Sequence, residues 1–114
     1  MRLQAYLWVV RRSSAHSGEE VMSTTKTKGT ALITGASTGI GAIYADRLAK
    51  RGYDLILVAR NASRLAALAD RLKSETGRSV ETIAADLNNK ADLARIETTL
   101  RTNAHITLLV NNAG

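Results

Sequence analysis

Four short apolar runs alternate with three helical periods between residues 30 and 110, and no other feature of the chain restricts its fold as much. Thr30–Thr34, Asp54–Ala59, Val80–Ala84 and Ile106–Val110 read as strands. The second of these is a nearly continuous apolar run, the pattern of a strand covered on both faces. Between the strands, Ile40, Ile43, Tyr44 and Leu48 recur at helical spacing before Gly52. Leu65, Leu68 and Leu72 follow Asn61 as a cap and stop at Gly77. Leu93, Ile96 and Leu100 follow Asn88 or Asn89 as a cap. Strand–helix alternation with covered strands implies parallel pairing through right-handed crossovers. The expected class is α/β: a three-layer, Rossmann-like parallel sheet, incomplete at about four strands in the order 3-2-1-4, with three helices. The first two helices would cover one face and the third the other.

At 114 residues and 45% hydrophobic, the chain suits one small domain and is too apolar to be disordered throughout. It has no cysteine, which excludes a disulfide framework, a Cys-based zinc site and a thiol nucleophile. A reducing compartment fits, and a cytoplasmic location is expected. His16 and His105 stand far apart in sequence, so no metal site is expected. The apolar runs are too short to span a bilayer, and no membrane partner is expected. Residues 30–114 carry eleven Lys and Arg against eight Asp and Glu, mixed in sign along the helices. That is a solvated helical surface rather than a nucleic-acid footprint. One Trp and no Phe leave no stacking platform for bases.

The chain divides near residue 29. Residues 1–28 are expected to form a flexible N-terminal extension, since residues 11–29 are rich in Ser, Thr and charge with no apolar period. The apolar run Ala5–Val10 behind Arg2 makes a poor secretory signal, because Arg11 and Arg12 follow it directly. Met22 leads straight into the first strand, so Met1 and Met22 are both open as starts. Residues 29–114 are expected to form the partial Rossmann-like domain.

Chemistry enters between the first strand and the first helix, at Thr34-Gly35-Ala36-Ser37-Thr38-Gly39-Ile40-Gly41. Glycines there let a ligand approach the backbone, and the loop feeds a helix N-terminus whose N–H groups face any anion. Ser37 and Thr38 add hydroxyl donors. Together these describe a pyrophosphate cradle, although the spacing is T-G-x-x-x-G-x-G and not G-x-G-x-x-G. Ala59-Arg60 ends the second strand, where an NAD-preferring site usually offers a carboxylate. Arg60 can pair instead with a 2′-phosphate. Asp86-Leu87 follows the third strand; Asp86 can accept from an adenine amine or serve as a turn residue before the cap. Asn111-Asn112-Ala113-Gly114 follows the fourth strand at the same sheet edge. Its Asn side chains can tie neighbouring loops together or bond a ribose.

In this order and at these intervals, TGASTGIG, Arg60, Asp86-Leu87 and NNAG resemble the short-chain dehydrogenase/reductase family. The resemblance covers about residues 29–114. It implies that Gly35, Ser37, Thr38, Gly39, Ile40 and Gly41 hold the dinucleotide phosphates. Arg60 would favour NADP(H) over NAD(H), and Asp86 and Leu87 would meet the adenine. Asn112, Ala113 and Gly114 would line the ribose side, with Asn111 bracing the central sheet. The implied reaction is hydride transfer between NADP(H) and an alcohol or carbonyl substrate.

The family's catalytic Ser and Tyr-x-x-x-Lys follow the NNAG segment. Here Tyr6, Tyr44 and Tyr53 are followed four positions on by Val10, Leu48 and Leu57. The chain therefore reads as the cofactor-binding portion of an oxidoreductase, inactive by itself; the alternative is a non-catalytic dinucleotide-binding or regulatory module. The fourth strand would stand as an unpaired apolar edge, a route to self-association and marginal stability.

Overall fold

Five strands and three helices follow in chain order in the computed structural model, which describes residues 6–11, 27–37 and 39–113. They are β1 (Tyr6–Arg11), β2 (Thr30–Thr34), α1 (Gly39–Lys50), β3 (Asp54–Ala59) and α2 (Ala62–Thr76). β4 (Val80–Ala84), α3 (Lys90–Thr102) and β5 (Ile106–Ala113) complete the chain. The sheet order is β1-β5-β2-β3-β4. β5, β2, β3 and β4 are mutually parallel, which is the expected 3-2-1-4 order when β2 is counted first.

Both faces of the central strands are buried, as their continuous apolar runs require. One core cluster joins Ala31, Ile33, Leu55, Leu57 and Val110 to Ala45 and Leu48 of α1 and Leu65 and Leu72 of α2. The smaller cluster on the opposite face joins Leu32, Ile56, Val58 and Ile106 to Ile96 of α3. α2 begins and ends as its sequence indicates. The Asn61 side chain accepts from the Arg64 N–H at 3.0 Å, and Gly77 closes the helix in the left-handed conformation at φ 73°. α3 is capped by Asn89, whose side chain accepts from the Asp92 N–H at 3.0 Å.

Four expectations need correction. The buried stripe of α1 is Gly41, Ala45, Leu48 and Ala49, while Ile40 and Ile43 are 49% and 52% exposed. Small residues, not the largest ones, let this helix approach the sheet. Leu93 is likewise 39% exposed, and Ile96 carries the buried face of α3. The fourth parallel strand runs on through Asn111, Asn112 and Ala113: Asn111 pairs with both β2 and β1, and Asn112 and Ala113 pair with β1.

The fourth correction concerns the first residues. Tyr6–Arg11 forms a strand antiparallel to β5, so the N-terminal extension is not uniformly without structure. Thr27 and Lys28 are anchored too: the Thr27 hydroxyl and the Lys28 N–H both donate to the Gly52 carbonyl at 3.1 Å. β5 is consequently an interior strand between β2 and β1, and the apolar edge expected to drive self-association is covered. His16 and Met22 lie outside the described residues.

Candidate functional site

Parallel strands bring all their carboxyl ends to one sheet edge. Thr34, Ala59, Ala84 and Ala113 therefore end their strands on the same side, with the glycine loop, Arg60, Asp86 and the Asn pair gathered there. Each connection at this edge is tied to its neighbour by backbone. The Ala36 N–H donates to the Val58 carbonyl at 3.2 Å, and the Ala85 N–H to the Ala59 carbonyl at 2.9 Å.

The bend after β2 is set by close approach. Gly35 sits at φ 64° and Gly39 at φ 59°, both left-handed. A Cβ on Gly35 would collide with the Asn112 carbonyl oxygen. A Cβ on Gly41 would collide with the Gly35 carbonyl oxygen and lie 2.8 Å from its carbon. By contrast, nothing lies within 4 Å of a Cβ position on Gly39, so the helix start is open on that side. α1 has no acidic residue in its first turn, so the positive end of its dipole meets no opposing charge there.

Thr34 locks the bend to β5. It is only 3% exposed. Its hydroxyl donates to the Asn111 Oδ1 at 2.8 Å and accepts from the Asn112 N–H at 3.0 Å. The Asn112 Nδ2 then donates to the Gly35 carbonyl at 3.3 Å. Asn111 thus braces the sheet, and Asn112 braces the bend itself. Thr34 stands in the quoted motif but received no role from sequence. Its signal is a hydroxyl ending an otherwise apolar strand, since a buried polar group needs a partner.

Asp86 is held as a turn. Its Oδ1 accepts from the Asn88 N–H at 3.0 Å, and its carbonyl accepts from the Asn89 N–H at 2.9 Å. Its own N–H donates to the Asp92 Oδ2 at 2.9 Å. That hydrogen bond, helped by one from Arg95, holds the Asp92 carboxyl below the usual carboxylate range against the opposing effect of desolvation. Arg95 also donates to the Ala84 carbonyl at 3.2 Å, fixing the end of β4 to α3. Neither Asp92 nor Arg95 was singled out from sequence. Leu87 is half-buried against the smaller core cluster. Arg60 and Ile40 are exposed, and Ser37 is half-buried. Thr38 and Gly114 lie outside the described residues, and Ala113 is placed as the last residue of β5.

Among the described residues no helix is long and apolar enough to cross a membrane. A family model described as short chain dehydrogenase matches residues 29–114. The chain is 43% identical over 88 residues to a very-long-chain 3-oxoacyl-CoA reductase of Ajellomyces capsulatus, covering 74% of this chain and 25% of that one. It is 42% identical over 84 residues to human 17-beta-hydroxysteroid dehydrogenase type 3, covering 74% of this chain and 27% of that protein. Among solved structures, a short-chain dehydrogenase from Sphingobium yanoikuyae in complex with NADPH superposes with a TM-score of 0.68 at 59% identity. That match covers 68% of this chain and 30% of the other. The chain thus spans about a quarter of the length of these two curated relatives.

Proposed function

Because the chain belongs to the short chain dehydrogenase family, we propose that its carboxyl-edge site binds NADP(H) as part of an oxidoreductase acting on an alcohol or carbonyl. The observation that carries this reading is the glycine bend. Gly35 and Gly41 are in contact where any side chain would collide, and the start of α1 opens beside them free of acidic groups. A diphosphate fits such a place, because the first-turn N–H groups have no acceptor within the helix and point outward.

Within that reading, Gly35, Ser37, Thr38, Gly39, Ile40 and Gly41 hold the diphosphate. Arg60 faces the adenosine ribose, where Ala59 offers no carboxylate to accept from a 2′-hydroxyl. A guanidinium there favours a 2′-phosphate through a charge-assisted pair. The solved relative from Sphingobium yanoikuyae was determined with NADPH, which supports a nicotinamide dinucleotide as the ligand. Asp86 and Leu87 border the adenine, and Asn112 to Gly114 border the second ribose. When bound, the cofactor supplies the hydride donor or acceptor. This chain's own residues bind and orient it. Thr34, Asn111 and Asn112 keep the bend in one shape, so that little reorganisation accompanies binding. No proton donor for the substrate oxygen is assigned here, since no tyrosine of the chain has a lysine four positions on.

The test is cofactor discrimination. Arg60→Glu is expected to weaken NADPH binding more than NADH binding by about 1–3 kcal/mol, roughly 5- to 150-fold. Isothermal titration with each cofactor reads it. Equal losses for both would remove Arg60 from the 2′-phosphate role.

A further inference from the structure

One strand of the sheet runs against the other four. β1 pairs with β5 along its whole length, from Tyr6 opposite Ala113 to Arg11 opposite Leu108. On its other side β5 is parallel to β2, from Thr30 opposite Ile106 to Thr34 opposite Asn111. A doubly wound sheet of order 3-2-1-4-5-6 adds its next strand, in parallel, on the outer side of strand four. Counted from β2, strand four is β5, so β1 occupies the position of strand five in the opposite direction.

That position cannot be shared. Each backbone N–H and C=O on this side of β5 is committed to one neighbouring strand. Left open, the edge would expose a strand whose Ile106, Leu108 and Val110 are buried core residues. Such an edge is a template for another chain. The segment Tyr-Leu-Trp-Val-Val-Arg is rich in β-branched and aromatic residues and contains no Gly or Pro, the composition that suits a strand. Residues 12–29 connect β1 to β2, which flank β5 on its two sides. The connection has to bridge only two strand spacings, about 10 Å. Its length is ample for pairing within one chain.

We propose that Tyr6–Arg11 is a built-in edge cap, which fills the place of the next parallel strand and closes β5 to strand addition by other chains. A further parallel strand could join the sheet only after β1 had left.

The chain has no cysteine, so a designed pair reports the register directly. Val9 stands opposite Val110. Under mild oxidation, Val9→Cys with Val110→Cys is expected to form a disulfide within a single chain, read by mass spectrometry and non-reducing electrophoresis. Val10→Cys with Val110→Cys, displaced by one residue, is expected to form at least tenfold less, because a one-residue slip exchanges the faces of a strand. No cross-link in the first pair, equal cross-linking in both, or a cross-link between chains would overturn the proposal.

A second measurement uses no cysteine. Trp8→Pro with Val9→Pro in the full chain removes two successive strand N–H groups, of which one must face β5. The β5 amides on that side should lose hydrogen-exchange protection at least tenfold and the chain should self-associate, while Leu55–Val58 stay protected. Unchanged protection in an unchanged monomer would contradict the cap. So would loss of protection throughout β3.

Discussion

Gly41→Ala should abolish measurable NADPH binding and lower stability by about 1–3 kcal/mol, the usual cost of forcing a methyl group into a filled space. The added Cβ would meet only backbone: the Gly35 carbonyl oxygen, its carbon at 2.8 Å and the Ala36 Cα at 3.0 Å. None of these can rotate aside as a side chain would. Either the bend moves off Asn112 or the first turn of α1 moves off the bend. Both movements disturb the same N–H groups that the account assigns to the diphosphate. Gly77→Ala is the control. Gly77, unlike Gly41, is left-handed, at φ 73°, but nothing lies within 4 Å of its Cβ position and it caps α2 away from the site. It should lose about 1 kcal/mol from the left-handed backbone and bind NADPH as before. Denaturant titration and calorimetric binding on both variants check the pair. Retained NADPH binding in Gly41→Ala would mean that the close contact does not shape the site.

Leu57→Ala should cost more stability than any surface change, about 2–5 kcal/mol, through lost transfer energy and the cavity left behind. Leu57 is fully buried at the centre of β3, between β2 and β4 and within the larger core cluster. A small domain holds only about 5–15 kcal/mol in total, so much of the folded population is at stake. Leu93→Ala should cost less than about 1 kcal/mol, because the side chain is 39% exposed. The two leucines look alike in sequence, each within an apolar period. Urea denaturation separates them, and similar losses for both would place Leu93 in the core after all.

That comparison marks where sequence reading succeeds. Apolar runs between turn residues locate β2 and β3 with their observed bounds, because a strand buried on both faces leaves little that is polar to confuse the pattern. β4 also has its expected bounds, although it is an edge strand whose Glu81, Thr82 and Ala84 are exposed. α2 is legible because its cap, its leucine stripe and its terminal glycine agree. α1 misleads for a physical reason: its contact with the sheet is made by Gly41, Ala45 and Ala49, which carry little hydrophobic signal, while Ile40 and Ile43 face outward. β1 escapes because strand pairing across most of the chain's length is a tertiary choice, and an isolated apolar run does not announce its partner. The same holds for Asn112 and Ala113, which extend β5 beyond its pairing with β2 because β1 lies beside them.

Within the site, the glycine bend and the residues at the strand ends follow from spacing. The Thr34 hydroxyl that joins Asn111 to Asn112 becomes visible only when β2 and β5 are adjacent. The turn around Asp86, with Asp92 reaching back to its N–H, needs the start of α3 in place.

The most direct measurement is a titration of NADPH into the isotopically labelled chain, followed amide by amide. The largest saturable shifts should fall on Gly35, Ala36, Ser37, Gly39, Ile40 and Gly41, with Arg60 also moving. If NADPH saturates the chain and leaves those amides where they began, or if no binding is seen, the bend does not receive a diphosphate and the reading built on it is wrong.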